Sequence, residues 1–339
     1  MNRRTFLVAA TGALTLNGGE AAADEPPPAV VDLHVDLSYQ LNYKDRTIAQ
    51  ASGNLLADEL VGAGYAGLVL PLYVPHDVSD SGPRLEDLER SYRRLTQELS
   101  RRAPFALPGT QPDSRPVRTW LAFEGAAPLA GARAARIDVW MSRGVRLFGL
   151  VHVHDNSLAT SSGATAAFRN VRSGLSETGR AFVEQVHAAG GIVDVSHASD
   201  ATVKDVVAIA RSAGVPVVAT HSNARALARH SRNLSDEQLR AIADLGGVVG
   251  VNFHGPYLCV GRAPTIQDVV RHVQHMVRVT GIEHVAIGSD FEGGIQEPPG
   301  LGDVRGLPLL ASRLRSAGLT GREVESIFSA NALRVLGAG

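Results

Sequence analysis

PPAVVDLHVD, residues 27–36, decides how the rest of the chain reads. Its apolar run is β-branched, too short for a helix and free of polar alternation, which describes a strand buried on both faces of a parallel sheet. It closes on His34 and Asp36, two metal-binding side chains at i and i+2, a spacing that turns both to one face of a strand. The pattern recurs along the chain. Glu124 follows TWLAF, His197 follows GIVDVS, His221 follows VPVVAT and Asp290 follows HVAIGS. Candidate strands fall near 29–33, 66–72, 118–123, 145–151, 191–196, 215–220, 247–252 and 284–289.

Helical patterns separate them: LEDLERSYRRLTQELSRR (85–102), SETGRAFVEQVHAAGG (176–191), SDEQLRAIADLGG (235–247), and the amphipathic stretches 265–281 and 320–336. Ser235 and Gln238 form an S-x-x-Q capping box, and Gly246-Gly247 supply a stop. Ser176 is a plausible cap for its helix. Strand and helix alternating in this way specify a parallel sheet with helical crossovers. An open sheet would gather its site at one switch point. Ligand-type residues contributed by at least five strands require a ring, so the expected fold is a (β/α)8 TIM barrel with its site at the C-terminal strand ends. The long polar stretch 152–175 is expected to form a pocket wall at that rim.

Composition excludes several classes. The chain has 339 residues, 44% hydrophobic and 20% charged, with a net charge of −1, so nothing in it favours nucleic acid or an anionic membrane. Cys259 stands alone, which rules out an internal disulfide and a cysteine metal cluster. MNRRTFLVAATGALTLNGGEAAA, residues 1–23, has the twin arginines, short apolar core and A-x-A end of a twin-arginine signal peptide. That core is too short and too broken by Thr and Gly to span a bilayer. The expectation is a signal at 1–23, one metallohydrolase domain at 24–339, no transmembrane segment, and a periplasmic or secreted protein.

Three histidines and three carboxylates at one end of a barrel suggest two divalent metals and a bridging hydroxide. The two lysines, Lys44 and Lys204, lie away from strand ends, which leaves Glu124 as the anionic bridge. Charge agrees: two divalent cations are offset by Asp36, Glu124, Asp290 and one hydroxide, and a near-neutral cluster avoids the cost of isolated buried charge. Mixed imidazole and carboxylate donors suit catalytic zinc.

The motifs resemble those of the membrane dipeptidases, also called renal dipeptidases, metallopeptidase family M19. DLHVDL (32–37) is similar to the family's D-G-H-N-D-L, FEGA (123–126) to its E-G-G segment, and IVDVSHAS (192–199) to I-x-D-L-S-H-x-S. VVATHSNARAL (217–227), RNLSDEQL (232–239) and VAIGSDFEGG (285–294) match later segments in order. The resemblance implies that His34 and Asp36 bind one zinc, that His197 and His221 bind the other, and that Glu124 bridges them. It also implies that His152 donates, as a cation, to the developing oxyanion. Arg232 would hold the substrate's terminal carboxylate, with Asn252 and His254 beside the substrate, and Asp290 would shuttle the proton. The implied activity is hydrolysis of dipeptides, including those with a C-terminal D-residue, by a possible homodimer.

Departures from the family pattern touch the pocket. Leu33 and Val35 replace Gly and Asn, Ala126-Ala127 stand for Gly-His, His254 for a common Tyr, and Glu292 for the second Asp of D-F-D-G. The loop 153–162 lacks the usual Trp. These keep open a same-fold amidohydrolase acting on a non-peptide amide, lactam or lactone. A catalytically silent metal-binding protein is a third reading, disfavoured by the presence of both Asp290 and His152.

Overall fold

The computed structural model describes residues 27–51, 53–75, 84–102, 104–110, 116–130, 137–163 and 173–337. The expected signal peptide at 1–23, and residues 164–172 of the expected pocket wall, lie outside the described residues.

Eight parallel strands form the barrel: β1 (Val30–Asp32), β2 (Tyr65–Tyr73), β3 (Arg118–Glu124), β4 (Val145–Gly149), β5 (Ile192–Asp194), β6 (Val217–Val218), β7 (Val249–Val251) and β8 (Val285–Ile287). Their order runs β6-β5-β4-β3-β2-β1-β8-β7, and the ends of this series meet. Ala219 bridges Val249 in parallel. The Ala219 N–H donates to the Val248 carbonyl (3.0 Å), and the Gly250 N–H donates to the Ala219 carbonyl (2.8 Å). The fold is therefore a (β/α)8 barrel, as the sequence indicates.

Several ladders are shorter than the apolar runs that announce them. Beyond Asp32, Asp194 and Val218 the regular ladders give way to single bridges, such as Val35 to Phe291 and Ala219 to Val249, and the chain turns over the barrel mouth carrying the ligand-type residues with it. Close approach is needed where β6, β7 and β8 converge. A Cβ at Gly250 or Gly288 would lie 1.9 or 1.8 Å from the Thr220 carbonyl oxygen, so only glycine fits either place.

The helices are α1 (Leu37–Tyr43), α2 (Leu85–Ser100), α3 (Ile137–Ser142), α4 (Glu177–Ala188), α5 (Asp200–Ala213), α6 (Asp236–Asp244), α7 (Gly255–Leu258), α8 (Ile266–Thr280), α9 (Leu307–Ser316), α10 (Gly321–Glu325) and α11 (Asn331–Leu336). Ser235 and Gln238 make the reciprocal cap of α6, and Ser176 accepts the Gly179 N–H at the start of α4. The stretch 320–336 is not one α-helix: a π-type turn, Ser326–Ala330, joins α10 to α11. Helix α5 is absent from the sequence reading, although Ser199 caps its start and Gly214 (φ 68°) ends it.

Alternation along β3 sorts the core. Trp120, Ala122 and Glu124 share the inward face, where Ala122 packs with Val31, Leu33, Val69, Leu147 and Val218. Leu121 and Phe123 face the helices. The interior is thus a filled apolar plug, and Glu124 stands at its top.

Helix α8 fastens two of the mouth loops through His272, which is fully buried. Its Nδ1 accepts the Ala224 N–H (3.1 Å) and its Nε2–H donates to the Leu258 carbonyl (3.0 Å). Burial pushes its pKa down to about 4 from the ordinary 6.5, because a charged ring there would be cut off from water. A depressed histidine costs nothing above pH 6.5. Stability is then lost as pH falls toward 4, by up to about 3 kcal/mol from this residue. Denaturant titrations at pH 7.5 and 4.5 should show a smaller acid loss in His272→Gln than in the wild type; equal losses would remove His272 from the acid sensitivity.

Candidate metal centre

The site is braced from below by two aspartates inside strand ends. Asp32 Oδ1 accepts the N–H groups of His34 (3.2 Å) and Ser289 (2.9 Å), tying β1 to the end of β8. Asp194 Oδ1 accepts those of Ser196 (2.9 Å) and Thr220 (3.0 Å), tying β5 to β6. Both are buried. Neither was singled out in the sequence. Their signal there is a carboxylate inside an apolar strand, two or three residues before a histidine.

Above these braces the candidate ligands converge on Glu124. Its Oε1 lies 3.1 Å from His197 Nε2, 3.6 Å from His34 Nε2 and 3.7 Å from His221 Nε2. His34 Nε2 is also 3.6 Å from Asp36 Oδ1, and the Nε2 atoms of His197 and His221 are 2.9 Å apart. The donors sort into two trios sharing one carboxylate: His34, Asp36 and Glu124, and Glu124, His197 and His221. A third grouping, His34, Asp194 and His221, is geometrically close. Asp194 is already committed to the hydrogen bonds between β5 and β6.

These residues fit a pair of cations and fit their absence poorly. His34 Nε2 and Asp36 Oδ1 are buried with no hydrogen-bond partner among the described residues. Burial, and after it the charge of Asp36, pushes Glu124 well above the usual carboxylate range. Burial alone would lower His34, but Asp36 and Glu124 outweigh it and push it up to about 10. Burial holds His197 and His221 well below 6.5, so they present bare nitrogens. Unbalanced negative charge on one side and neutral imidazoles on the other are what divalent cations would complete.

Around the trios stand the remaining candidates. Asp290 Oδ2 accepts from Asn252 Nδ2 (2.9 Å), and burial together with Asp36 raises its pKa to about 7. Asp290 and His197 both hold left-handed backbone, φ 67° and 65°, which costs a non-glycine residue about 1–2 kcal/mol. His152 Nε2 is 3.9 Å from Glu124 Oε1. Its surroundings hold its pKa down to about 3, mainly by burial, although 29% of the side chain opens to the pocket. With its pKa so lowered, it presents a neutral ring with one N–H to donate.

Arg232 is buried, donating from Nη2 to the His221 carbonyl (3.1 Å), and its Nε has no partner among the described residues. Its guanidinium lies over the Tyr257 ring at 5.4 Å, a support the sequence reading missed. His254 also packs on Tyr257, at 4.6 Å between ring centroids, and its Nδ1 accepts the Gln296 N–H (3.1 Å). Every site residue expected from sequence thus lies at this mouth. Glu292, one of the departures, is fully buried and turned inward, with Oε1 accepting the Leu55 N–H (2.8 Å). Of the expected pocket wall, His154 and Asn156 line a small cavity beside Glu124 and His152 together with Tyr73 and Pro128.

A parallel barrel with imidazoles and carboxylates gathered at its C-terminal mouth is the architecture of a metal-dependent hydrolase. The chain belongs to the membrane dipeptidase family, peptidase family M19, whose profile it matches over residues 27–338. It is 28% identical to the solved dipeptidase AC, a metallopeptidase of family M19, with a TM-score of 0.80 over 92% of this chain and 98% of that one. A Rhodobacter sphaeroides metallopeptidase, solved with a phosphinate mimic of the dipeptide L-Ala-D-Ala, is 27% identical, with a TM-score of 0.79 over 91% of this chain and 99% of that one. Dipeptidase verJ of Clonostachys rogersoniana is 36% identical over 194 residues, 57% of this chain and 48% of that protein. The chain spans about half the length of several of the curated relatives it matches.

Gly293 leaves room for one side of the centre. A Cβ there would lie 2.5 Å from Asp36 Oδ2 and 3.0 Å from the Asp290 carbonyl and Oδ1. Gly293→Ala should fold but shift Asp36, weakening divalent metal binding on the order of tenfold. Calorimetric zinc titration alongside circular dichroism checks this; unchanged affinity would mean that Asp36 yields without cost.

Proposed function

We propose that this protein is an exported zinc dipeptidase with a binuclear centre, hydrolysing the peptide bond of short substrates that carry a free C-terminal carboxylate. The observation that carries the reading is the pair of donor trios sharing Glu124, in a chain of this family. Export rests on the Arg3-Arg4 motif and the alanine-rich end of residues 1–23.

His34, Asp36, Glu124, His197 and His221 would hold the ions, which when bound make water more acidic and polarise a carbonyl oxygen. The chain's own groups do the remainder. Arg232 offers its partnerless Nε and a planar fork to a carboxylate, held flat by Tyr257. His152, neutral, donates an N–H where charge grows on the carbonyl oxygen. Asp290, oriented by Asn252, takes the proton of the attacking water and passes it to the leaving nitrogen. The phosphinate mimic of L-Ala-D-Ala bound to the Rhodobacter sphaeroides relative supports D-residues at the C-terminal position. A panel of L-L, L-D and D-D dipeptides assayed with zinc tests the substrate class. Preference for lactones, lactams or other non-peptide amides would move the assignment to a same-fold amidohydrolase.

Asp290→Asn should keep the fold and the bound zinc and lose at least about a hundredfold in kcat, because an amide cannot relay the proton. Zinc content and turnover, measured on one preparation, separate the roles: lost zinc would make Asp290 a ligand, and retained turnover would exclude it from proton transfer.

Arg232→Ala should weaken kcat/KM for free dipeptides by about 1.5–3 kcal/mol and that for their C-terminal amides far less. The double comparison isolates the pair. Equal losses on both substrates would leave Arg232 only a structural part.

A further inference from the structure

Beneath the ligands, one hydroxyl touches both trios. Thr220 Oγ1 is 2.6 Å from Asp194 Oδ2, 2.9 Å from His221 Nδ1 and 3.2 Å from His34 Nδ1. A fourth neighbour, Ser196 Oγ, is the most distant at 3.3 Å and accepts the His221 N–H (3.2 Å). Thr220, His34 and His221 are buried, so water cannot substitute for any of these contacts.

We propose that Thr220, held by Asp194, is the positioning residue that fixes both His34 and His221 as Nδ1–H tautomers and thereby leaves both Nε2 atoms free to bind metal. The argument is a count of protons. A hydroxyl has one proton and two lone pairs, and a carboxylate only accepts. Asp194 uses Oδ1 for two backbone N–H groups and takes the hydroxyl proton on Oδ2. Thr220 Oγ1 is then an acceptor toward both imidazoles. Each must donate from Nδ1, because a bare Nδ1 would set two acceptors against each other inside the protein. Nε2 of each ring is the nitrogen that faces Glu124.

His34 belongs to one trio and His221 to the other, so a single side chain prepares a ligand on each side of the bridge. His197 lacks this device: its Nδ1 is buried without a partner among the described residues. The inference rests on the metal centre proposed above, and it makes Thr220 a residue that touches neither substrate nor metal.

The test compares wild type, Thr220→Ser, Thr220→Val and Asp194→Asn. In Asp194→Asn the amide carbonyl keeps the two backbone N–H groups and the NH2 donates to Thr220, which frees the hydroxyl proton to oppose one imidazole. Competition against a chelator should give near-wild-type zinc affinity for Thr220→Ser. Thr220→Val should lose about 10–100-fold at both ions, and Asp194→Asn should also lose affinity. Nitrogen-15 spectra of the metal-free protein should show His221 as the Nδ1–H tautomer in wild type and Thr220→Ser, and as a mixture in Thr220→Val. Circular dichroism and melting curves verify the fold of each variant, and Asp194→Asn serves if Thr220→Val does not fold. Unchanged affinity with an unchanged His221 tautomer in the folded variants overturns the proposal, as does a loss confined to one ion. If the wild type binds no zinc, the metal centre fails, and the His221 tautomer still decides what Thr220 does.

Discussion

The constraint on which this structure depends is electrostatic: Asp36 and Glu124 are buried at the top of an apolar plug, with Asp290 beside them. Carboxylates so placed repel one another and have lost their water, which is why Glu124 and Asp290 are both pushed upward. His34, pushed up by Asp36 and Glu124, offsets part of the imbalance, but burial strips His197 and His221 of their protons. The barrel holds the cluster together regardless, because its members are fixed to the ends of β1, β3, β5, β6 and β8. That rigidity is what a centre for hard, multiply charged ligands requires.

Holding the cluster has local costs, and they fall where the chemistry is proposed. His197 and Asp290 take left-handed backbone that their side chains disfavour, and Glu292 does the same two residues after Asp290. The braces below offset this. Asp32 and Asp194 each gather two backbone N–H groups across neighbouring strands, so the loops that carry the ligands leave the barrel along fixed directions. Gly250 and Gly288 let the third part of the mouth close around Thr220.

Departures from the family pattern lie around this centre. Ala127 stands where the family pattern has an imidazole on the β3 side, and His254, where a Tyr is common, packs edge-on against Tyr257. On the opposite rim, Tyr39, Tyr43 and Tyr73 form an aromatic wall that reaches His152 through Tyr73, 4.6 Å between ring centroids. Glu292 is taken up by the backbone of the 53–57 loop and faces away from solvent. These changes reshape the walls around an unchanged set of donors, so they bear on which substrate enters more than on what is done to it.

The eightfold alternation, the strand-end placing of His34, Glu124, His197 and His221, and the family motifs were all legible in the chain, because buried parallel strands write themselves as short apolar runs and ligands must stand at their ends. The short helix α3 and the split of the last helix were not, since packing against neighbouring helices decides them more than local propensity does, whereas α5 carries its signals in Ser199 and Gly214. Within the site, sequence named the candidate ligand types but could not give the charge of His152; a pKa is set by burial and by charges brought from other strands, none of which a linear motif records. Asp194, Thr220 and Tyr257 escaped for the same reason. Their roles exist only through partners 26, 186 and 25 positions away, Thr220 for Asp194, His34 for Thr220 and Arg232 for Tyr257. The chain by itself therefore determined the barrel and its donor set, by periodicity and residue type. Which nitrogen points at which oxygen, and which groups carry charge, was decided by tertiary structure alone, because distance and desolvation are properties of the folded arrangement.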